Sequence, residues 1–310
     1  MTSESALIVC PECRGPLDWS DASVSCIAER REFRIVDGIA DFVPDDRREA
    51  IEAFLARYLE VRHAERWTDD DLELLHALPF RDVTNRRQAM WNIRARGLAA
   101  LTRELARTFG DRRLIVCEIG AGVGWLSYRL AMEGNTCVAA DVNVDARDGL
   151  GAARHYVASG IDLTRVRAPM DRLPVASGLA DVVVGSASFH YAVDEDAQRR
   201  VLAEAARVLR PGGLVAILDS PVYRSAASGE RMVAEWRDAS GTSSATDVRD
   251  SGYLVRDEIE RAMADAGFTP EFRRHWMGWR WTANFIWQRW FGPREPAMLP
   301  MILGRMPPAS

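Results

Sequence analysis

The sequence predicts an α/β protein built on a doubly wound, mostly parallel sheet. Three observations predict it. Between residues 113 and 217 short apolar runs alternate with helical patterns, the order that builds a parallel sheet with helices on both faces. The apolar run 114–117 breaks into Glu118-Ile-Gly120-Ala-Gly122-Val-Gly124, and a helix over 125–133 follows with Leu126 and Leu130 on one face. Polar residues then stand at or just beyond the ends of successive runs: Asp141 after 136–140, Asp171 after 166–168 and Ser186 after 181–185. In open parallel sheets the ligand lies beyond these carboxyl ends.

At 310 residues the chain is long enough for one or two domains with a sizeable core. Hydrophobic content of 47% and charge of 27% are those of a globular protein. A net charge of -5 gives no global attraction to nucleic acid. All 40 basic residues are arginine, which excludes a Walker lysine, a Schiff-base lysine and a lysine general base. No apolar run has the length of a membrane span, so a cytoplasmic protein is expected. The five cysteines are an odd number; Cys117 and Cys137 fall in buried runs, where cysteine serves as a small hydrophobe.

Taken in order, residues 1–45 form a small ribbon module with Cys10-Pro-Glu-Cys13 and Cys26. Cys-Pro-x-Cys sets two thiolates on a tight knuckle suited to tetrahedral zinc. Residues 46–112 are helical: Ile51, Phe54, Leu55, Tyr58, Leu59 and Arg62 recur at helical spacing, and a second helix runs over about 85–109. Arg86, Arg87, Arg94, Arg96, Arg103 and Arg107 decorate that helix, as a solvated face or as a phosphate surface. Residues 113–275 carry the sheet. Within them a helix over 195–209 stops at Arg210-Pro-Gly-Gly213, residues 222–252 read as a mobile Ser/Gly/Ala-rich excursion, and a helix over 256–266 stops at Gly267. Residues 276–310 are an aromatic extension in which alternation over 276–281 suggests a last strand. Core packing is the expected fate of its tryptophans, against an aromatic binding wall or a membrane-surface patch.

The glycine spacing decides between nucleotide folds. A dinucleotide fingerprint needs a third glycine at position 125 for close helix–strand packing, and Trp125 stands there. Glu-x-Gly-x-Gly-x-Gly instead resembles motif I of the class I S-adenosylmethionine-dependent methyltransferases, and Leu209-Arg-Pro-Gly-Gly213 resembles another hallmark of that family. The resemblance covers about residues 113–270 and implies a seven-stranded, mostly parallel sheet with a helical lid placed before motif I. It further implies that Gly120, Gly122 and Gly124 approach the amino-acid end of the cofactor, with Glu118 orienting the loop or accepting from the ligand ammonium. Asp141, with Val142 beside it, would accept from the ribose hydroxyls. Met170 and Asp171 would meet the adenine, and Ser186 would lie beneath the sulfonium.

The stretch Ser186-Ala-Ser-Phe-His190-Tyr191 is similar to the strand-four end of ubiquinone- and menaquinone-type methyltransferases. His190 is the candidate base, with Tyr191 and Tyr223 as positioning groups; a structural His190 bonded to backbone is the competing reading. The leader resembles zinc ribbons fused to some methyltransferases. The second Cys-x-x-Cys of those ribbons is reduced here to Cys26 with Glu29, so Cys10, Cys13, Cys26 and Glu29 are the candidate zinc ligands, against a ribbon that has lost its metal. Methyl transfer to a small-molecule acceptor leads. An RNA base methyltransferase with a ribbon leader is the alternative, and a non-catalytic partner protein of the same fold is the third reading.

Overall fold

The computed structural model describes residues 7–65, 71–240 and 252–308. The predicted parallel strands are all present, and most run further than the apolar runs suggested. Strands β1 (Asp18–Trp19), β2 (Ser23–Cys26), β3 (Arg31–Val36) and β4 (Ile39–Asp41) form the leader. Helices α1 (Asp45–Glu65), α2 (Leu72–Ala77) and α3 (Gln88–Phe109) follow. Then come β5 (Ile115–Ile119), α4 (Trp125–Met132), β6 (Thr136–Asp141), α5 (Arg154–Ala158), β7 (Leu163–Arg167), β8 (Ala180–Ser186), α6 (Glu195–Val208) and β9 (Leu209–Leu218). The chain continues through β10 (Val222–Tyr223), α7 (Ala226–Ser240), β11 (Leu254–Val255), α8 (Arg256–Asp265), β12 (Thr269–Arg273), α9 (Trp279–Phe291) and β13 (Met301–Arg305).

The main sheet has the order β1-β2-β3-β4-β7-β6-β5-β8-β9-β13-β12. Strands β4, β7, β6, β5, β8 and β9 pair in parallel, and β13 runs antiparallel to β9 and to β12. The seven strands from β7 to β12 are the doubly wound core. The leader does not stand apart from them: Ala40 pairs with Val166 and Asp41 with Arg167, so β4 continues the sheet at the edge of β7.

Side chains alternate between two cores because successive strand residues point to opposite faces. Cys117, Ile119, Val183 and Ile217 pack with Val201 and Leu202 of α6 and Ile259 and Met263 of α8. Val116, Val182, Val184 and Ala216 pack with Trp91, Leu98 and Leu101 of α3 and Leu126 of α4. Asp194 caps α6 by accepting from the Ala197 N–H at 2.7 Å. The buried Glu104 of α3 accepts from Arg107 at 2.8 Å and also binds Arg273 and Arg305, which fastens the helix to the antiparallel edge.

Three expectations are corrected. Arg210-Pro-Gly-Gly213 lies within the span of β9, where pairing jumps from Ala180 with Leu209 to Val182 with Leu214. The intervening residues bulge out, with Gly212 at a φ of 75°. Residues 226–240 of the predicted excursion are the helix α7, which buries Val233, while 241–251 lie outside the described residues. No strand covers 276–281. The last strands are β12 and β13, and most of the tryptophans sit on or beside α9, a helix without a single buried residue. Core packing is therefore not their fate. No helix among the described residues is long and apolar enough to cross a membrane.

Candidate active site

Strand β5 extends through Glu118 to Ile119, so Glu118 lies inside the strand and its side chain faces α4. There its Oε2 accepts from the Ser127 N–H at 2.8 Å and the Ser127 hydroxyl at 2.5 Å. Glu118 thus joins the end of β5 to α4, and it is not among the residues that line the cavity. Burial lifts its carboxyl to about 7, against the Ser127 hydrogen bonds. A carboxyl raised in the folded state favours folding below its unfolded value of 4.5, and the contribution is lost as pH rises through about 7. Glu118→Gln keeps an oxygen for Ser127 without the titration. Wild type is expected to lose on the order of 3 kcal/mol relative to it between about pH 4 and pH 8, read from urea unfolding.

The loop itself needs glycine. Gly120, Gly122 and Gly124 have φ of 64°, 53° and 72°, a region side chains rarely adopt. A Cβ on Gly120 would meet the Ser188 Cβ at 2.4 Å, whereas one on Gly122 would meet nothing within 4 Å. The backbone at Gly122 borders open space. Its N–H donates to Asp141 Oδ2 at 2.7 Å, and Asp141 Oδ1 accepts from the Asn143 N–H at 2.8 Å. Burial raises the Asp141 carboxyl against these bonds.

Gly120, Gly122, Asp141, Val142, Met170, Asp171 and Ser186 all line one cavity of 1010 Å³, beyond the carboxyl ends of the strands. Gly124 lies just behind the loop, against Ala153. The Asp171 carboxylate accepts from Arg47 at 2.7 Å and from Arg200 at 3.4 Å, which ties α1 and α6 to the cavity rim. The Ser186 hydroxyl donates to Asp219 Oδ2 at 2.8 Å.

His190, Tyr191 and Tyr223 line the same cavity, so the structure brings all three together. His190 Nδ1 lies 3.2 Å from the Ser220 hydroxyl. Burial, and then the charge of Arg94, pushes its imidazole down to about 4, which keeps it neutral at physiological pH. Tyr191 meets Tyr58 edge-on at 6.0 Å and Phe54 at 6.1 Å, so α1 packs on the segment that follows β8. The buried Tyr223 hydroxyl accepts from Arg294 at 3.1 Å.

Sequence reasoning missed several residues of this wall. Arg62 binds Asp148 with two hydrogen bonds, at 2.6 and 2.9 Å, which anchors the end of α1 beyond β6. Arg62 recurring on an apolar stripe was the available signal. Asp219 has a φ of 55°, and its Oδ1 is buried without a hydrogen-bond partner among the described residues. Its place at the end of a parallel strand marked it. The α3 arginines divide: Arg87 and Arg94 line the cavity, Arg96 donates to the Met277 carbonyl and Arg107 binds Glu104. Arg86, Arg103 and Arg107 stay exposed, so the helix is a solvated face in part and a cavity wall in part.

Away from the cavity, the sulfurs of Cys10, Cys13 and Cys26 lie within 4.8 Å of one another, with Cys13 and Cys26 at 3.5 Å. Three thiolates about 2.3 Å from a common ion suit tetrahedral zinc. The Glu29 carboxylate is not brought into this group; Glu29 instead presents its backbone N–H to Cys26.

A family model described as a methyltransferase domain matches residues 116–213. No curated protein matches the chain. Among solved structures, the YcgJ protein of Bacillus subtilis is 14% identical with a TM-score of 0.51, over 68% of this chain and 99% of that one. Magnesium protoporphyrin IX methyltransferase of Synechocystis PCC 6803, solved with bound S-adenosylhomocysteine, is 16% identical with a TM-score of 0.49, over 71% and 86%. Sheet order, glycine loop and family match agree: residues 116–213 match a methyltransferase domain, and the sheet around them has the class I methyltransferase fold.

Proposed function

We propose that this protein methylates a small apolar acceptor of the ubiquinone or menaquinone type, with S-adenosylmethionine as donor. The observation that carries this reading is that one cavity is shared by two unlike walls. One side is built by the glycine loop and Asp141, and the other by apolar side chains of α1, α7 and α9, including Phe54, Trp236 and Phe285. A volume of 1010 Å³ is at the upper end for small-ligand pockets and suits two molecules held together.

The donor supplies an electrophilic methyl group on a sulfonium. The Gly120 and Gly122 backbone holds its amino-acid end, Asp141 accepts from the ribose hydroxyls, and Met170 packs on the adenine with Asp171 at its edge. Ser186, fixed by Asp219, borders the methyl position. His190 takes the proton of an acceptor hydroxyl. For that, Nδ1–H donates to the Ser220 hydroxyl and Nε2 keeps its lone pair. Tyr191 and Tyr223 hold the acceptor in line, and α1 with α9 excludes water.

Calorimetric titration with S-adenosylhomocysteine, beside NAD, tests the donor; binding of the first alone is expected. Transfer of label from methyl-labelled donor to reduced quinones then tests the acceptor. Transfer to RNA instead, with salt-sensitive RNA binding, would favour the RNA reading. His190→Gln is expected to lower turnover roughly 100-fold or more without weakening donor binding. Retained turnover would leave His190 a structural role.

The three cysteines are assigned a zinc ion with a fourth position left to solvent or an outside ligand. Protein purified without chelator is expected to carry one zinc per chain, lost in the Cys13→Ser, Cys26→Ser double variant. Absence of zinc from the wild type sinks the assignment.

A further inference from the structure

Helix α9 is built the opposite way to an ordinary surface helix. Its Trp281 and Phe285 stack at 5.0 Å and line the cavity together with Gln288. The remaining aromatic residues point to solvent: Trp279 is 81% exposed, Trp290 77%, Phe291 74% and Trp287 58%. Ile286 falls in the same sector, and Trp276, just before the helix, packs edge-on against Trp279 at 4.9 Å. At 150–250 Å² for each aromatic side chain, this patch exposes on the order of 800 Å² of mostly apolar surface. That exceeds what a monomeric soluble protein ordinarily leaves uncovered.

The surrounding charge identifies what covers it. From Phe272 to Arg294 the chain has Arg273, Arg274, Arg280, Arg289 and Arg294 and no acidic residue, in a protein whose net charge is -5. Arg273 and Arg294 are engaged by Glu271 and Glu235. Arg274, Arg280 and Arg289 make no ion pair or hydrogen bond among the described residues. Tryptophan and phenylalanine flanked by unpaired arginine suit the boundary between headgroups and acyl chains of an anionic bilayer. An RNA surface would share the charge, but here the rings form a continuous apolar sector with Ile286, backed directly by the apolar cavity. A lipid surface suits that continuity better than separate stacking platforms do.

We propose that α9 docks this protein on an anionic lipid bilayer, with Trp279, Trp287, Trp290 and Phe291 seated at the headgroup boundary. The other face of the same helix then walls the acceptor cavity, so an amphiphilic acceptor passes from the bilayer beside α9 to His190. This last step rests on the methyltransferase reading, while docking itself does not.

Cosedimentation with vesicles tests it, using the full chain without donor or acceptor. Wild type is expected to sediment with phosphatidylcholine vesicles containing phosphatidylglycerol and weakly with phosphatidylcholine alone. Trp279→Ser with Trp290→Ser should reduce this binding about tenfold or more. Arg280→Gln with Arg289→Gln should remove the preference for the anionic lipid, about 30-fold. Both pairs are exposed, and unchanged circular dichroism and S-adenosylhomocysteine binding would establish that the variants are folded. Folded wild type that sediments with neither vesicle overturns the proposal. So does a dimer abolished by the tryptophan changes without vesicle binding, which assigns the patch to a second copy. Binding to RNA homopolymer in place of vesicles overturns it in favour of RNA. A chain that binds vesicles but no S-adenosylhomocysteine would keep the docking and remove the methyltransferase reading.

Discussion

Gly120→Ala is expected to destabilise the protein by about 3 kcal/mol or more. Two costs add. At a φ of 64° alanine is strained by its own backbone. The new Cβ also arrives 2.4 Å from the Ser188 Cβ, an atom next to the main chain that cannot swing away. Ser188 is itself held by its hydroxyl, which donates to the Ile119 carbonyl at 2.7 Å, and the Gly120 N–H donates to the Ala140 carbonyl at 2.8 Å. The ends of β5, β6 and β8 therefore resist separation together. Gly178→Ala is the control: its φ is 66°, but a Cβ there meets nothing within 4 Å, so about 1 kcal/mol is expected. Urea midpoints of the two variants give the comparison directly. Equal losses would mean that the loops move apart freely.

Asp141→Ala is expected to weaken S-adenosylhomocysteine binding on the order of 100-fold or more. The carboxylate organises the site before any ligand arrives, because it draws the Gly122 and Asn143 N–H groups toward one point. Its remaining lone pairs face the cavity, where the ribose hydroxyls are assigned. Alanine removes the acceptors for the ligand and also releases the glycine loop. Asp141→Asn retains one acceptor oxygen and should lose less. Calorimetry decides the matter, and a change below about threefold in the alanine variant would remove Asp141 from the ribose site.

The parallel core was legible because burial on both faces writes itself as uninterrupted apolar runs, such as Val182-Val-Val184, ended by glycine or a polar residue. The glycine loop was legible because only glycine tolerates those dihedrals. The carboxyl-end residues Asp141 and Ser186 followed from position alone. Other features had no such signature. Tryptophans at 276, 279 and 281 satisfy a strand alternation and a helical turn almost equally, and nothing in composition says which face meets solvent. Helix α7 hid in a segment rich in serine and alanine, although Met232 and Trp236, four residues apart, both reach the cavity. Glu118 read as a loop residue because the apolar run stops at Cys117, whereas the strand continues two residues further. Asp171 could be placed at the rim, but its partners Arg47 and Arg200 come from distant helices that no local pattern connects.

The junction between β4 and β7 changes what the leader is for. Without β4, the outer strand of the doubly wound core would present a row of unsatisfied N–H and C=O groups, a template for another chain. Asp41 completes the closure by accepting from Arg48 at 2.8 Å and from Arg167 at 3.2 Å, joining leader, first helix and core strand at one point. The ribbon is thus an aggregation guard as much as a candidate metal module. Cutting it off at residue 45 would expose the sheet's adhesive margin, so insolubility of such a fragment would say nothing about the cysteines.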